Sequence, residues 1–253
     1  MVYNRGMPIL DLSSIKSQKE LETRAKRDLE GKTLKQIMAS IIASDSTARV
    51  STKAGVGYVI EEGYFGIKKN NTAGPDIPSL GVEIKTSPLE IGGNGKLRVK
   101  EPLSLNLINY IDEYKHTNIR DSSFYKKNKS ILFVWYIHDK KVARSEYVIK
   151  YVFLWQMDDS VLAEINDDYQ KILKNINLGK AHQIHQDQHK NLTLCPKHGG
   201  KFSNPNCKKT KKTQPFSTAP AEVRAFRLKS SYMNQVIRKY LAGDVPGELS
   251  NFV

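Results

Sequence analysis

Asp76, Glu83 and Lys85 stand close together in the stretch PDIPSLGVEIKT. Residues two apart on a β-strand share a face. Glu83 and Lys85 therefore project together, while Val82 and Ile84 point into a core. Asp76 precedes the Pro78 turn and can return beside them. Two converging carboxylates form a hard oxygen site suited to Mg²⁺. An ammonium next to them can orient or deprotonate a water. Hydrolysis of a phosphodiester needs this combination: charge to neutralise the phosphoryl oxygens, and a water aimed in line with the leaving oxygen. Spacing alone is poor evidence, since such a triplet arises by chance roughly once in four chains of this composition. The plainer alternative is a surface strand with alternating Glu and Lys. Leu80, Val82 and Ile84 argue against it, because they make the strand at least half buried.

The elements that must hold this strand are legible around it. KSQKELETRAKRDL (16–29) is charged and helix-forming, with Gly31 as its stop. Thr33 caps LKQIMASIIAS, whose Leu34, Ile37, Met38, Ile41 and Ile42 recur at helical spacing. GVGYVIEEGYFG (55–66) reads as a short third helix, and KKNNTAGPD as a turn. LGVEIKT (80–86) is a strand, and LRVKEPLSLNLI (97–108) gives another. SILFVWYI (130–137) is apolar on both faces and reads as a central strand covered on each side. EYVIKYVFLW (146–155) continues the sheet. A helix spans about 159–178 and ends at Gly179. NLTLCPK is a strand entering a loop rich in Gly, Asn and Lys, RAFRLK is a further strand, and SSYMNQVIRKYL is a closing helix. The order predicts a single α/β or α+β domain.

Composition bounds the partner. Forty Lys and Arg face 26 Asp and Glu, a net charge of +14 in 253 residues. Such a surplus favours a polyanion. The longest apolar run is far too short to span a bilayer, and no secretory leader opens the chain. The two cysteines, Cys195 and Cys207, make no disulfide scaffold. A cytoplasmic protein that meets nucleic acid is the expectation.

The stretch 55–88 resembles the MutH-like endonucleases of the PD-(D/E)xK superfamily, which include GATC-cutting Type II restriction enzymes of the Sau type and a mismatch-repair nickase. LGVEIKTSP follows the family's Leu-Gly-Val-Glu-Leu-Lys-Thr-x-Pro. EEGYFG follows its Glu-x-x-aromatic/Leu-Gly helix, and SSFYKKNKSILF follows the segment bearing a second lysine. DDYQKILKNINLGKAHQI, CPK and RAFRLKSSYM continue the likeness in order, so it covers roughly residues 20–241. The resemblance implies a restriction-endonuclease-like fold, a central mixed sheet flanked by helices. It implies one domain over 1–241, with a catalytic core at about 55–157, a DNA-reading loop at about 191–223, and 242–253 as a tail or linker stub.

By the same resemblance, Asp76, Glu83 and Glu62 ligate Mg²⁺, Lys85 positions the attacking water, and Lys127 contacts the scissile phosphate, with Lys126 and Lys129 beside it. Pro196 and Lys197 fall where the family reads bases in the major groove. Arg227 falls near the base pairs, where MutH carries a Tyr. Lys229, Lys208, Lys209, Lys211 and Lys212 add DNA contacts, the last four on a flexible phosphate-binding loop. The implied activity is Mg²⁺-dependent cleavage of double-stranded DNA at GATC, as a restriction enzyme or alternatively as a nickase. One active site cuts one strand, so double-strand cleavage calls for a homodimer or a second domain. A non-cleaving DNA-binding module is the rival from another class, and the intact triplet speaks against it. Cys195-x-x-His198 followed by Cys207 invites a zinc reading, yet the spacing fits no standard finger.

Overall fold

The structure is a computed structural model that describes residues 9–40, 55–68, 72–197 and 211–253. The chain forms two compact units. The first comprises Met1–Lys100 and Ser130–Gln156, and the second Glu101–Lys129 and Met157–Val253.

The first unit is built on a four-stranded mixed sheet. Its strands are β1 (Glu83–Ile91), β2 (Leu97–Val99), β4 (Ser130–Ile137) and β5 (Ile149–Gln156), in the order β2-β1-β4-β5. β1 and β4 run parallel, with Glu83 opposite Ile131 and Lys85 opposite Phe133. The two other pairings are antiparallel. β4 is buried from Ser130 to Trp135, as its lack of polar residues predicts. Helices α1 (Gln18–Leu29), α2 (Leu34–Ser40) and α3 (Gly55–Tyr58) share a core with the sheet. Leu21, Ala25, Leu29, Leu34 and Ile37 meet Val82, Ile84, Leu132, Val134 and Val152 there. Each fully buried aliphatic side chain contributes about 1.5–3 kcal/mol.

Local signals set the helix ends. Ser17 caps α1 by accepting from the Glu20 N–H at 3.1 Å. Thr33 and Gln36 exchange the reciprocal bonds of a capping box. Gly31, at φ +78°, turns the chain after α1. The edge strand β5 is covered by α1: Glu30 accepts from the Val152 N–H at 2.6 Å and Glu22 from the Leu154 N–H at 2.9 Å. Two carboxylates thus occupy donors that would otherwise offer a pairing edge. α3 passes directly into a π-helical turn, Val59–Tyr64, marked by the Phe65 N–H bonding to the Ile60 carbonyl at 3.1 Å.

The second unit holds a three-stranded antiparallel sheet in the order β3-β9-β6, from β3 (Leu103–Leu107), β6 (Leu192–Pro196) and β9 (Arg224–Leu228). It also contains helices α4 (Tyr110–Glu113), α5 (Ser123–Asn128), α6 (Asp159–Asn177) and α7 (Ser230–Asp244). A hairpin of β7 (Lys211–Gln214) and β8 (Ser217–Glu222) completes the unit.

Two expectations change. The run 97–108 is not one strand: β2 and β3 belong to different sheets, and the break falls at Glu101-Pro102, where proline has no N–H to donate. Lys211 and Lys212 lie on β7 and not on a loop, while Lys208 and Lys209 lie outside the described residues. In the closing segment α7 continues to Asp244, and the Phe252 ring beyond it is buried.

Candidate active site

A tight return of the chain brings Asp76 to β1. Ile77 and Val82 exchange main-chain bonds at 2.9 and 3.2 Å, and Gly81 supplies the φ of +66° that the turn requires. Gln18 of α1 donates to the Leu80 carbonyl at 2.7 Å and holds the turn from outside. The two acids are then tied to each other's backbone. The Asp76 N–H donates to Glu83 Oε2 at 3.1 Å, and the Ile84 N–H donates to Asp76 Oδ2 at 2.9 Å. Lys85 Nζ lies 2.5 Å from Glu83 Oε1. Glu83 is buried while Lys85 retains 23% side-chain exposure, so the ammonium sits between a buried acid and solvent. A buried carboxylate stays ionised only if its charge is met, and here a cation and an N–H meet it.

A further carboxylate joins the group, and it is Glu61. Burial, opposed by Lys85 and reinforced by the charges of Asp76, Glu83 and Glu62, pushes Glu61 up to about 7. A methyl placed on Gly57 would stand 3.5 Å from both Glu61 Oε1 and Thr86 Oγ1, so Glu61 reaches back along α3 toward β1. The sequence reading assigned this place to Glu62. Both acids lie in the π turn, whose wider winding sets which way each of them points. The pair Glu61-Glu62 was visible in the sequence, but the winding that chooses between them was not.

Asp76 and Glu83 offer hard oxygen donors to a divalent cation. Among the described residues, no three His, Cys, Asp or Glu side chains converge on one point as a closed metal cage would require. The donor set therefore fits an ion held by two carboxylates with water completing its shell, the habit of Mg²⁺. His198 and Cys207 of the zinc reading lie outside the described residues, and Cys195 is buried in β6.

The other expected site residues belong to the second unit. Lys126 and Lys127 lie in the last turn of α5, and Lys129 follows as its cap. Lys126 and Lys129 are exposed and Lys127 is partly buried. Pro196 ends β6 in an exposed position, and the Lys197 N–H donates to the Val223 carbonyl at 2.7 Å. Arg227 on β9 stands opposite Thr193 and Ser104, and its buried Nε has no hydrogen-bond partner among the described residues. Lys229 is turned inward: its ammonium donates to the His189 carbonyl and its N–H to Asn191. It fastens α7 to the start of β6. Asp168 of α6, which the sequence reading passed over, accepts from the N–H groups of Lys190, Asn191 and Leu192 at 2.8, 2.6 and 2.9 Å. It fixes the entry of the strand that carries Pro196.

A mixed sheet flanked by helices, with an acid pair and a lysine at the start of a parallel strand, defines the restriction-endonuclease-like class. The family described as MutH, DNA mismatch repair enzyme MutH, matches residues 65–168. The chain is 36% identical over 195 residues to the Type II restriction enzyme Sau3AI of Staphylococcus aureus, covering 76% of this chain and 38% of that one. It is also similar to two DNA mismatch repair MutH proteins. With that of Buchnera aphidicola subsp. Baizongia pistaciae it shares 26% identity over 164 residues, 62% of this chain and 69% of the relative. With that of Shewanella woodyi it shares 27% over 186 residues, 73% and 77%. These likenesses are consistent with a MutH-like endonuclease family. Its match spans 38% of the length of the restriction enzyme. No helix among the described residues is long and apolar enough to cross a membrane.

Proposed function

We propose that this protein is a Mg²⁺-dependent DNA endonuclease of the Type II restriction kind, acting at GATC in the cytoplasm. The observation that carries the reading is the return of Asp76 onto Glu83 and Ile84, with Lys85 on the same strand. Nothing in DNA binding alone calls for two carboxylates tied together beside a lysine, since carboxylates repel phosphate. Mg²⁺, when bound, supplies charge to neutralise the phosphoryl oxygens and acidify a water. Asp76 and Glu83 would hold the ion, and Glu61, in place of Glu62, would hold the waters that complete its shell. Lys85 directs a water and stabilises the developing charge. Lys127, Lys126 and Lys129 contact the DNA backbone. Pro196, Lys197 and Arg227 face the bases, and Lys211 and Lys212 add phosphate contacts. The net charge of +14 draws the polyanion in.

A nickase uses the same centre once, whereas a double-strand cut needs two copies or a second domain. The 36% identity to a Type II restriction enzyme favours double-strand cleavage. Supercoiled plasmid carrying GATC separates the possibilities in one gel: linear product, nicked circles, or a mobility shift with no cut. Asp76→Ala and Glu83→Ala are expected to abolish cleavage in Mg²⁺ while DNA binding persists. Wild-type rates in Asp76→Ala would remove the reading.

A further inference from the structure

The tip of the β7–β8 hairpin is built in an unusual way. Gln214 pairs with Ser217, so Pro215 and Phe216 form a two-residue turn. The second position of a turn with φ > 0 is normally glycine, yet Phe216 holds φ +59°. A bulky side chain in that region is an outlier. The burial is also inverted: Pro215 is buried and Phe216 is 69% exposed.

The hairpin is clamped by its backbone and not by this ring. A Cβ on Gly179 would stand 2.4 Å from the Phe216 carbonyl oxygen, so the tip lies hard against the chain there. The buried Gln214 accepts from the Ala181 N–H at 2.8 Å and bonds to the His182 ring at 2.9 Å. The Phe216 ring touches Tyr114 edge to face, with centroids 5.4 Å apart. An apolar ring is thus presented to solvent from a rigid base. The surrounding charge is positive: Lys180, Lys211 and Lys212 are exposed, and Lys115 is paired with Asp112 at 3.3 Å.

We propose that Phe216 is a DNA-contacting residue that packs its ring against the duplex beside the cleavage sequence, with these lysines on the adjoining phosphates. This rests on the endonuclease reading above. Aromatic rings among lysines suit nucleic acid because bases and sugars offer flat apolar surface beside the phosphates. The place on the DNA follows from the strand. Lys197 bonds to Val223 at the hairpin base, and Phe216 stands seven residues before Val223. At about 3.3 Å per residue the tip is no more than about 23 Å away. A duplex advances about 3.4 Å per base pair, so the contact falls within about seven base pairs of the base that Lys197 faces.

The test is binding of the full chain, in Ca²⁺ without Mg²⁺, to duplexes with a central GATC and flanks of 2 to 12 base pairs. Wild-type affinity is expected to rise with flank length and level off by about seven. Phe216→Gly suits the backbone angle, so its melting temperature is expected to be unchanged or higher. Its affinity is expected to match wild type on the shortest duplex and to fall on the order of tenfold on long ones. Phe216→Trp is expected to restore the difference. Identical curves for Phe216→Gly and wild type would overturn the inference while leaving the endonuclease reading in place. So would a wild-type dimer, seen by sedimentation without DNA, that Phe216→Gly dissolves, because the ring would then serve a second copy. Failure of the wild type to bind any duplex would overturn the endonuclease reading and this inference together.

Discussion

Glu61 offers the sharpest test of how the site is assembled. Its carboxyl is raised from 4.5 to about 7, chiefly by burial and then by the charges of Asp76, Glu83 and Glu62, against the pull of Lys85. A raised carboxyl binds its proton more tightly in the folded protein than in the unfolded chain. Its contribution to stability is therefore present below pH 4.5 and is lost as pH rises through about 7. At about 1.4 kcal/mol per pH unit, the ionised form costs the metal-free fold up to about 3 kcal/mol, and about 2 kcal/mol after screening by adjoining solvent. Glu61→Gln keeps the neutral shape at every pH. In EDTA at pH 8, it is expected to melt roughly 4–8 °C above wild type, with the gap closing at pH 5. Mg²⁺ is expected to raise the wild-type melting temperature at pH 8 and to do less for Glu61→Gln, which lacks one negative charge. Glu62→Gln serves as the control and is expected to show a much smaller gap, because its charge is the least of those that raise Glu61. Calorimetric or fluorescence melts at the two pH values suffice. A pH-independent gap, or the same gap in Glu62→Gln, would refute the assignment of the site to Glu61.

Other expectations follow from the same structure. Lys197→Ala is expected to narrow the preference for GATC over a one-base variant by about 1–3 kcal/mol if Lys197 donates to a guanine. An equal loss on both sequences, with a salt slope lower by about one, would assign it to a phosphate instead. Asp168→Ala strands three main-chain N–H groups at the entry to β6, and denaturant unfolding is expected to register a loss of roughly 3–5 kcal/mol. Stability within about 1 kcal/mol of wild type would show that the loop finds other partners. The double substitution of Glu22 and Glu30 by Ala uncovers the Val152 and Leu154 donors on the edge of the sheet. Light scattering on warming is expected to show earlier aggregation than in wild type, and an unchanged onset would mean that these bonds do not protect the edge.

What the sequence determined is what depends on near neighbours. The alternation of Val82, Glu83, Ile84 and Lys85 sets an acid and a lysine on one face, because strand geometry repeats every two residues. Ser17, Thr33 and Asp158 announce their helices, each by a side chain that accepts a main-chain N–H a turn ahead. β4 advertises its central place by having no polar face. The tertiary structure decided the rest. Asp76 meets β1 only because the 77–82 turn closes and Gln18, far away in sequence, holds it. Glu61 and Glu62 lie in a π turn, in which one extra residue is wound into the helix, so helical spacing by itself does not say which of them faces β1. The run 97–108 divides between two sheets, and 211–222 folds back as a hairpin, because each strand answers to partners elsewhere in the chain. Propensity and period act over a few residues, whereas strand pairing and the winding of a helix against a sheet depend on contacts that exist only once the chain has closed on itself.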